Sequence, residues 1–277
     1  MVAVRVIWVL YFFVFGIFSS HASAGNNTAD KYPIPFELNR SWGARDKNGV
    51  VVIPPIYKNV LLFKGGISAA RTDKKIGYID QNGEIAIPFE YDKGLNFNSG
   101  LVGVCTEGKC GYLDAKGNIV IPLLYKEIDY FREEQGGLAI VKGEHGWGVI
   151  DIAGRDIIEP VFRTKPSISE GFIIALKGSR DGMIYDMKGN KLTPLNYDQI
   201  AYNVWTGKYF NDNLFTVAID GKWGFIDKAG KVIIPMRYDK RAFFFEGYAE
   251  LVRDGKVYRV DKQGTEELIG DWRRATP

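Results

Sequence analysis

Histidine and cysteine are nearly missing from this chain. Its 277 residues hold two of each: His21, His145, Cys105 and Cys110. Two thiols and one histidine beyond the first thirty residues do not make the ligand spacing of a structural or catalytic zinc site. A lone histidine without a Gly-x-Ser-x-Gly elbow shows no Ser-His-Asp arrangement. Runs of like charge are missing too. The 36 basic and 33 acidic residues are well mixed and leave a net charge of +3. That balance excludes the basic footprint of a nucleic-acid binder and a polybasic membrane arm. No glycine-rich phosphate loop opens a helix, and no segment carries a convincing helical period. Beyond residues 6–18 no apolar run approaches the roughly 20 residues of a membrane span. No cofactor is expected.

What the chain has in abundance is turn chemistry at a fixed period. Seven aspartates, Asp46, Asp80, Asp114, Asp151, Asp186, Asp227 and Asp261, stand 34, 34, 37, 35, 41 and 34 residues apart. Each is followed three positions later by a glycine, from Gly49 to Gly264. Five residues beyond the glycine comes Pro54, Pro88, Pro122, Pro194 or Pro235. Eight beyond it comes an aromatic, such as Tyr57, Phe162 or Tyr238. A period in this range denotes a repeat architecture. Asp at the first turn position bonds the turn's own backbone, and Gly at the fourth accepts positive φ. Apolar runs flank the turn, as in Trp223-Gly-Phe-Ile226 and Val232-Ile-Ile234. Each copy therefore predicts a hairpin with a type I turn and a glycine bulge. The proline is expected to end the second strand, since it cannot donate to the ladder. A further strand precedes each hairpin, as in Leu138–Val141 or Phe215–Ala218. The fold class is all-β: a tandem array of about seven three-stranded antiparallel units. One unit cannot bury its apolar face alone, so neighbours must stack. An open curved spiral and a propeller-like ring both satisfy the pattern.

Trp42-Gly43, Trp147-Gly148 and Trp223-Gly224, with Gly77-Tyr-Ile-Asp80 and Gly111-Tyr-Leu-Asp114, resemble the bacterial WG (KWG) repeat. The downstream Val-Ile-Ile-Pro-x-x-Tyr element matches it as well. The resemblance covers about Trp42 to Gly264. It lapses at Met183-Ile-Tyr185 and Val257-Tyr-Arg259, where the Trp-Gly pair is absent. It implies an all-β fold of a kind found in many secreted or surface bacterial proteins, and no shared reaction. The tryptophans resemble a sugar-stacking row, but alternation assigns Trp223 and Phe225 to one packed face. The glycine beside each ring lets a neighbouring group approach.

Residues 1–24 read as a secretory signal peptide. Arg5 supplies charge, Val6–Phe18 is the apolar core, and Ala22-Ser-Ala24 is the cleavage site. The mature chain is then expected in the periplasm or outside the cell, with no span left after cleavage. Residues 25–41 form a lead with a capping strand near Phe36–Leu38. The repeat domain occupies 42–264, and 265–277 form a C-terminal cap and tail. Export favours a disulfide between Cys105 and Cys110, which flank a short turn.

The repeat period grows in two places. It gains three residues near Asp129–Gly136 and seven between Tyr197 and Leu214. Insertions in a repeat map to surface loops and often to a binding face. The longer one carries Tyr202, Trp205, Lys208, Tyr209 and Phe210, residue types that dominate recognition surfaces. A cover over the core is the other reading of the same residues. The turn aspartates are assigned to turns, since calcium needs six or more converging oxygens. Glu133, Glu134 and Glu170 are the loop carboxylates for glycoside chemistry, with solvated charge as the plain alternative. The leading expectation is an exported, non-enzymatic interaction module that binds a protein or an envelope polymer. An inhibitor or immunity-type protein is one form of it. An enzyme acting on an envelope glycan or peptide and a structural envelope component are the alternatives.

Overall fold

The structure is a computed structural model that describes residues 31–176, 181–193, 196–204 and 206–272. The expected leader, its cleavage site and the last five residues lie outside the described residues. All the strands belong to the unit that begins at Tyr32. They form seven antiparallel sheets in chain order. Sheet 1 holds Ile34–Leu38, Ser41–Arg45 and Val51–Tyr57. Sheet 2 holds Asn59–Val60, Ile67–Arg71, Ile76–Asp80 and Ile85–Tyr91. Sheet 3 holds Lys93–Gly94, Val102–Thr106, Lys109–Leu113 and Ile119–Tyr125. Sheet 4 holds Glu127–Ile128, Leu138–Lys142, Trp147–Asp151 and Asp156–Phe162. Sheet 5 holds Ser167–Ser169, Phe172–Leu176 and Gly182–Asp186. Sheet 6 holds Gln199–Ile200, Leu214–Ile219, Lys222–Ile226 and Val232–Tyr238, with Phe210–Asn211 added beside Leu214. Sheet 7 holds Tyr248–Arg253, Lys256–Asp261 and Glu266–Asp271. Four sheets thus add a two-residue first strand to the expected three. The helical content among the described residues is one 3-10 turn, Glu133–Gln135.

The seven aspartates all do the same thing. In each turn Oδ1 accepts the backbone N–H two and four residues on, as Asp46 does from Asn48 and Val50 at 2.9 and 2.8 Å. The other six repeat this pair of bonds at 2.8–3.0 Å. The glycine of each turn has φ between 78° and 86°, which only glycine adopts without strain.

The proline does not end its strand. In sheets 1, 2, 3, 4 and 6 the strand after the aspartate turn runs seven residues, through the proline to the aromatic, as in Val51–Tyr57. In sheet 5 that expected strand is reduced to a bridge between Tyr185 and Lys191, and Pro194 lies outside the described residues. Trp42 pairs with Tyr57 and Ala44 with Ile53, so the one residue Gly43 faces the three residues Pro54, Pro55 and Ile56, and the strand bulges there. A bulge tolerates the missing donor that a straight ladder would not. It also explains the glycine of the Trp-Gly pair. A Cβ on Gly43 would lie 2.3 Å from the Ile53 carbonyl oxygen, and on Gly111, Gly148 or Gly224 it would lie 2.5 Å from the matching carbonyl. The bulge lies across the glycine, and no side chain fits beneath it.

Six core clusters hold the array together, and each draws on two consecutive sheets. Ala44, Ile53 and Tyr57 meet Val60, Phe63 and Ile79 between the first pair. Trp223, Phe225 and Tyr238 meet Phe244, Leu251 and Val260 between the last. Among the described residues no core cluster joins sheet 7 to sheet 1. Trp223 is buried, and Trp42 and Trp147 are half-buried against their clusters. The tryptophans therefore pack and do not form an open row.

In the third repeat Cys110 occupies the tryptophan position. It pairs with Tyr125 on one side and with Cys105 on the other. The two cysteines are disulfide-bonded across a hairpin, with Cα atoms 4.0 Å apart. The turn between them is Glu107-Gly108, both at positive φ.

Candidate functional site

The strands of each sheet run up and down, so alternate turns lie at opposite ends. The Asp-x-x-Gly turns share one end with the loops that follow each short first strand. The hairpins such as Glu107-Gly108 lie at the other end, where exposed pairs such as Lys75–Asp92 at 2.7 Å and Lys222–Asp239 at 2.5 Å gather. The array thus has two unlike rims.

On the first rim the loops of sheets 2, 3 and 4, residues 61–64, 95–98 and 129–132, lie side by side. They line a groove of about 450 Å³ with Leu62, Lys64, Asn96, Phe97, Tyr130 and Arg132 among its walls. That volume lies within the range of small-molecule sites, ~300–1,000 Å³.

Side chains brace this groove from repeat to repeat. The Tyr78 hydroxyl donates to the Leu95 carbonyl at 2.6 Å, and the Tyr112 hydroxyl to the Asp129 carbonyl at 2.6 Å. Both spans are 17 residues and both rings are buried, so one device serves two successive sheets. Burial pushes both phenols well above their ordinary range, with nearby Tyr130 adding for Tyr78 and nearby Asp129 for Tyr112. They stay protonated and remain donors. The Asn96 amide nitrogen donates to the Leu62 carbonyl at 2.7 Å, and its backbone N–H donates to the Tyr130 hydroxyl at 3.2 Å. The Asn98 amide nitrogen donates to the Phe131 carbonyl at 2.6 Å. The Asp129 carboxylate holds Lys165 of the next sheet at 2.7 Å. Phe97 lies over the Gly65-Gly66 turn, where a Cβ on Gly65 would fall 2.1 Å from its ring.

The predicted insertion of sheet 6 sits at the same repeat position, after Gln199–Ile200. It divides its residues between two tasks. Phe210 packs on Phe172 and Phe215, with centroids at 5.2 and 4.6 Å, and covers the core between sheets 5 and 6. Tyr209 is half-buried beside Tyr202, 4.9 Å between centroids, and burial raises its phenol. Tyr202 is 42% exposed. Lys208 is tied to Glu170 at 2.9 Å. Trp205 lies outside the described residues. The structure therefore brings Tyr202 and Tyr209 together and turns Phe210 inward.

Of the remaining loop carboxylates, Glu134 lies at the groove wall. Glu133 and Glu134 lie on the exposed 3-10 turn, with Glu134 3.9 Å from Arg132. His145 is exposed in the hairpin rim. The sequence reading missed the groove, because its residues, Leu62, Asn96 and Tyr130, share a repeat position but no letter. The recurring Phe63, Phe97 and Phe131 at that loop was the available signal.

The family described as WG containing repeat matches residues 42–75, 76–110, 111–142 and 223–256. No curated protein sequence matches the chain. Among solved structures, BamB from Moraxella catarrhalis shares 13% identity with a TM-score of 0.33, over 87% of this chain and 85% of that one. Kluyveromyces lactis Hsv2 shares 8% with a TM-score of 0.38, over 84% and 88%. A computationally designed protein, Ika8, shares 13% with a TM-score of 0.35, over 86% and 83%. The four matched stretches coincide with the Trp-Gly or Gly-Tyr strands, the aspartate turns and the proline bulges that shape these sheets, and these stretches of the chain are WG repeats.

Proposed function

We propose that this chain is an exported, non-enzymatic interaction scaffold whose loop rim binds a protein or an envelope polymer. The observation that carries this reading is the braced groove across sheets 2–4. Five side-chain hydrogen bonds between repeats, added to the anchoring of Phe63 and Phe131 in the core, hold these loops in place. A preorganised surface loses less freedom on binding. The groove lining includes one carboxylate, Glu134, beside two cations, which suits holding a ligand better than acid–base hydrolysis by a carboxylate pair. The exposed Tyr202 and its neighbour Tyr209 extend the same rim at sheet 6. Export is supported by the Cys105–Cys110 bond, since such bonds persist in oxidising compartments.

The test is site-specific photo-crosslinking in envelope preparations. A benzophenone amino acid at Leu62 is expected to capture a discrete partner, and the same group at Lys109 on the hairpin rim is expected to capture none. Equal capture at both positions, or none at Leu62, refutes the rim as the binding surface.

A further inference from the structure

The ligand class of the groove follows from which of its groups remain available. The carbonyls of Leu62, Leu95, Asp129 and Phe131 already accept side-chain donors. The backbone N–H groups of Lys64, Asn96, Asn98 and Arg132 are also engaged, three of them within their own loops. A peptide that binds by adding a strand needs free main-chain groups at an edge, and the groove floor offers few. What it presents is side chains. The Asn98 amide uses its nitrogen on Phe131, which leaves Oδ1 as an acceptor. The Tyr130 hydroxyl accepts from Asn96, which leaves its proton to donate. Lys64 has no ionic partner among the described residues, and Arg132 is held only loosely, 3.9 Å from Glu134. Leu62, 68% exposed, and Phe97 give apolar surface.

Two available cations, hydroxyl-binding donors and acceptors, and apolar faces are what an acidic sugar chain requires. Carboxylates match ammonium and guanidinium groups, hydroxyls match amide and phenol, and the C–H face of a sugar ring matches an aromatic or aliphatic wall. The groove crosses three stacked sheets, about 20 Å at ~10 Å per step. The ligand is therefore an oligomer and not a single sugar. We propose that the groove across sheets 2–4 binds an oligosaccharide bearing uronic-acid carboxylates, with Lys64 and Arg132 on the carboxylates and Asn98 and Tyr130 on ring hydroxyls. This rests on the rim reading above and narrows it to one polymer chemistry.

Calorimetry with the mature chain tests it. The probes are a short oligogalacturonate, its fully methyl-esterified form and an oligoglutamate peptide. The free acid is expected to bind, more weakly at high salt. Esterification is expected to weaken it about tenfold or more, as is Lys64→Gln or Arg132→Gln. Both side chains are exposed, so the variants keep the fold, and their unchanged circular dichroism spectra and melting curves establish it. Asn98→Ala is expected to weaken acid and ester alike. No binding of the free acid, equal binding of acid and ester, or oligoglutamate binding as tightly overturns the proposal. If Leu62 still crosslinks while oligogalacturonate does not bind, the sugar chemistry falls and the rim survives. If both fail, both readings fall.

Discussion

Substituting two glycines, one at a time, separates the one that the fold requires from one that it does not. Gly224 sits opposite the proline bulge of sheet 6, and Gly270 sits in the last strand of sheet 7. Neither has positive φ, so an added methyl group meets only sterics. At Gly270 nothing lies within 4 Å of an added Cβ. At Gly224 the Cβ would lie 2.5 Å from the Ile234 oxygen and 2.8 Å from both the Met236 nitrogen and the Pro235 carbonyl carbon. Real Cβ atoms essentially never come within 3.0 Å of such an atom, so the bulge must retreat by at least 0.5 Å, the difference between 3.0 and 2.5 Å. All three are backbone atoms, and a side-chain rotation does not relieve the clash. Overpacking of this kind costs about 3 kcal/mol. The stiffer unfolded chain offsets roughly 0.4–1 kcal/mol of that. The net loss for Gly224→Ala is about 2–3 kcal/mol, and Gly270→Ala is neutral or slightly stabilising. At roughly 2–4 °C per kcal/mol for a domain of this size, the midpoint falls about 5–10 °C for Gly224→Ala alone. Thermal unfolding followed by circular dichroism measures it. Midpoints within about 1 °C of each other would refute the account of the Trp-Gly glycine.

Three further outcomes follow from other contacts. Tyr112→Phe removes the bond to the Asp129 carbonyl, costs about 1 kcal/mol, and speeds hydrogen exchange across residues 129–132; unchanged exchange there contradicts the brace. Replacing Cys105 and Cys110 together by alanine opens a loop of sequence separation 5, so urea unfolding should show a loss of about 2 kcal/mol. Thiol titration of the unreduced, unfolded protein should find no free thiol. Glu266 ties Glu266–Asp271 to the rest of the array through Arg237, Arg253 and the Tyr238 hydroxyl. Burial raises its carboxyl, but the Arg253 and Tyr238 hydrogen bonds and both arginine charges outweigh that and leave it below its ordinary 4.5. A carboxylate depressed in this way stabilises the fold above about pH 4.5, and the effect is lost as pH falls through the lower folded value. Glu266→Gln should flatten that part of the acid unfolding curve, and an unaltered curve counts against it.

The repeat was legible because its letters are local. Asp46 and its six equivalents bond backbone two and four residues away, so their role is contained in five residues of sequence. The glycine beside Trp42 was legible as a site of close approach, but the approaching group was not. Pro54 read as a strand terminator, because the bulge that accommodates it depends on the register with Trp42 and Ala44, which sequence alone does not provide. Cys110 standing in for tryptophan became visible only once it was paired opposite Tyr125. The groove was hidden for a related reason. Tyr78 and Asn96 act on loops 17 and 34 residues away, and such braces show no pattern within one repeat. The insertion at Tyr197–Leu214 was found by its length, but length did not reveal that Phe210 turns inward while Tyr202 stays out.

The aspartate turns also govern how such a chain can change. An added Cβ on Gly83 would sit 3.3 Å from Ile53, on Gly154 3.3 Å from Ile121, and on Gly230 2.2 Å from the Leu192 oxygen. Six of the seven turn glycines face the preceding repeat in this way, at 2.2–3.6 Å, while Gly49 of sheet 1 has nothing within 4 Å. Both expansions of the period, at Glu133–Gln135 and before Leu214, fall instead in the loop after a short first strand. In sheets 2, 3, 4 and 6 the chain can therefore grow at one address, loop by loop, above a framework that stays the same length.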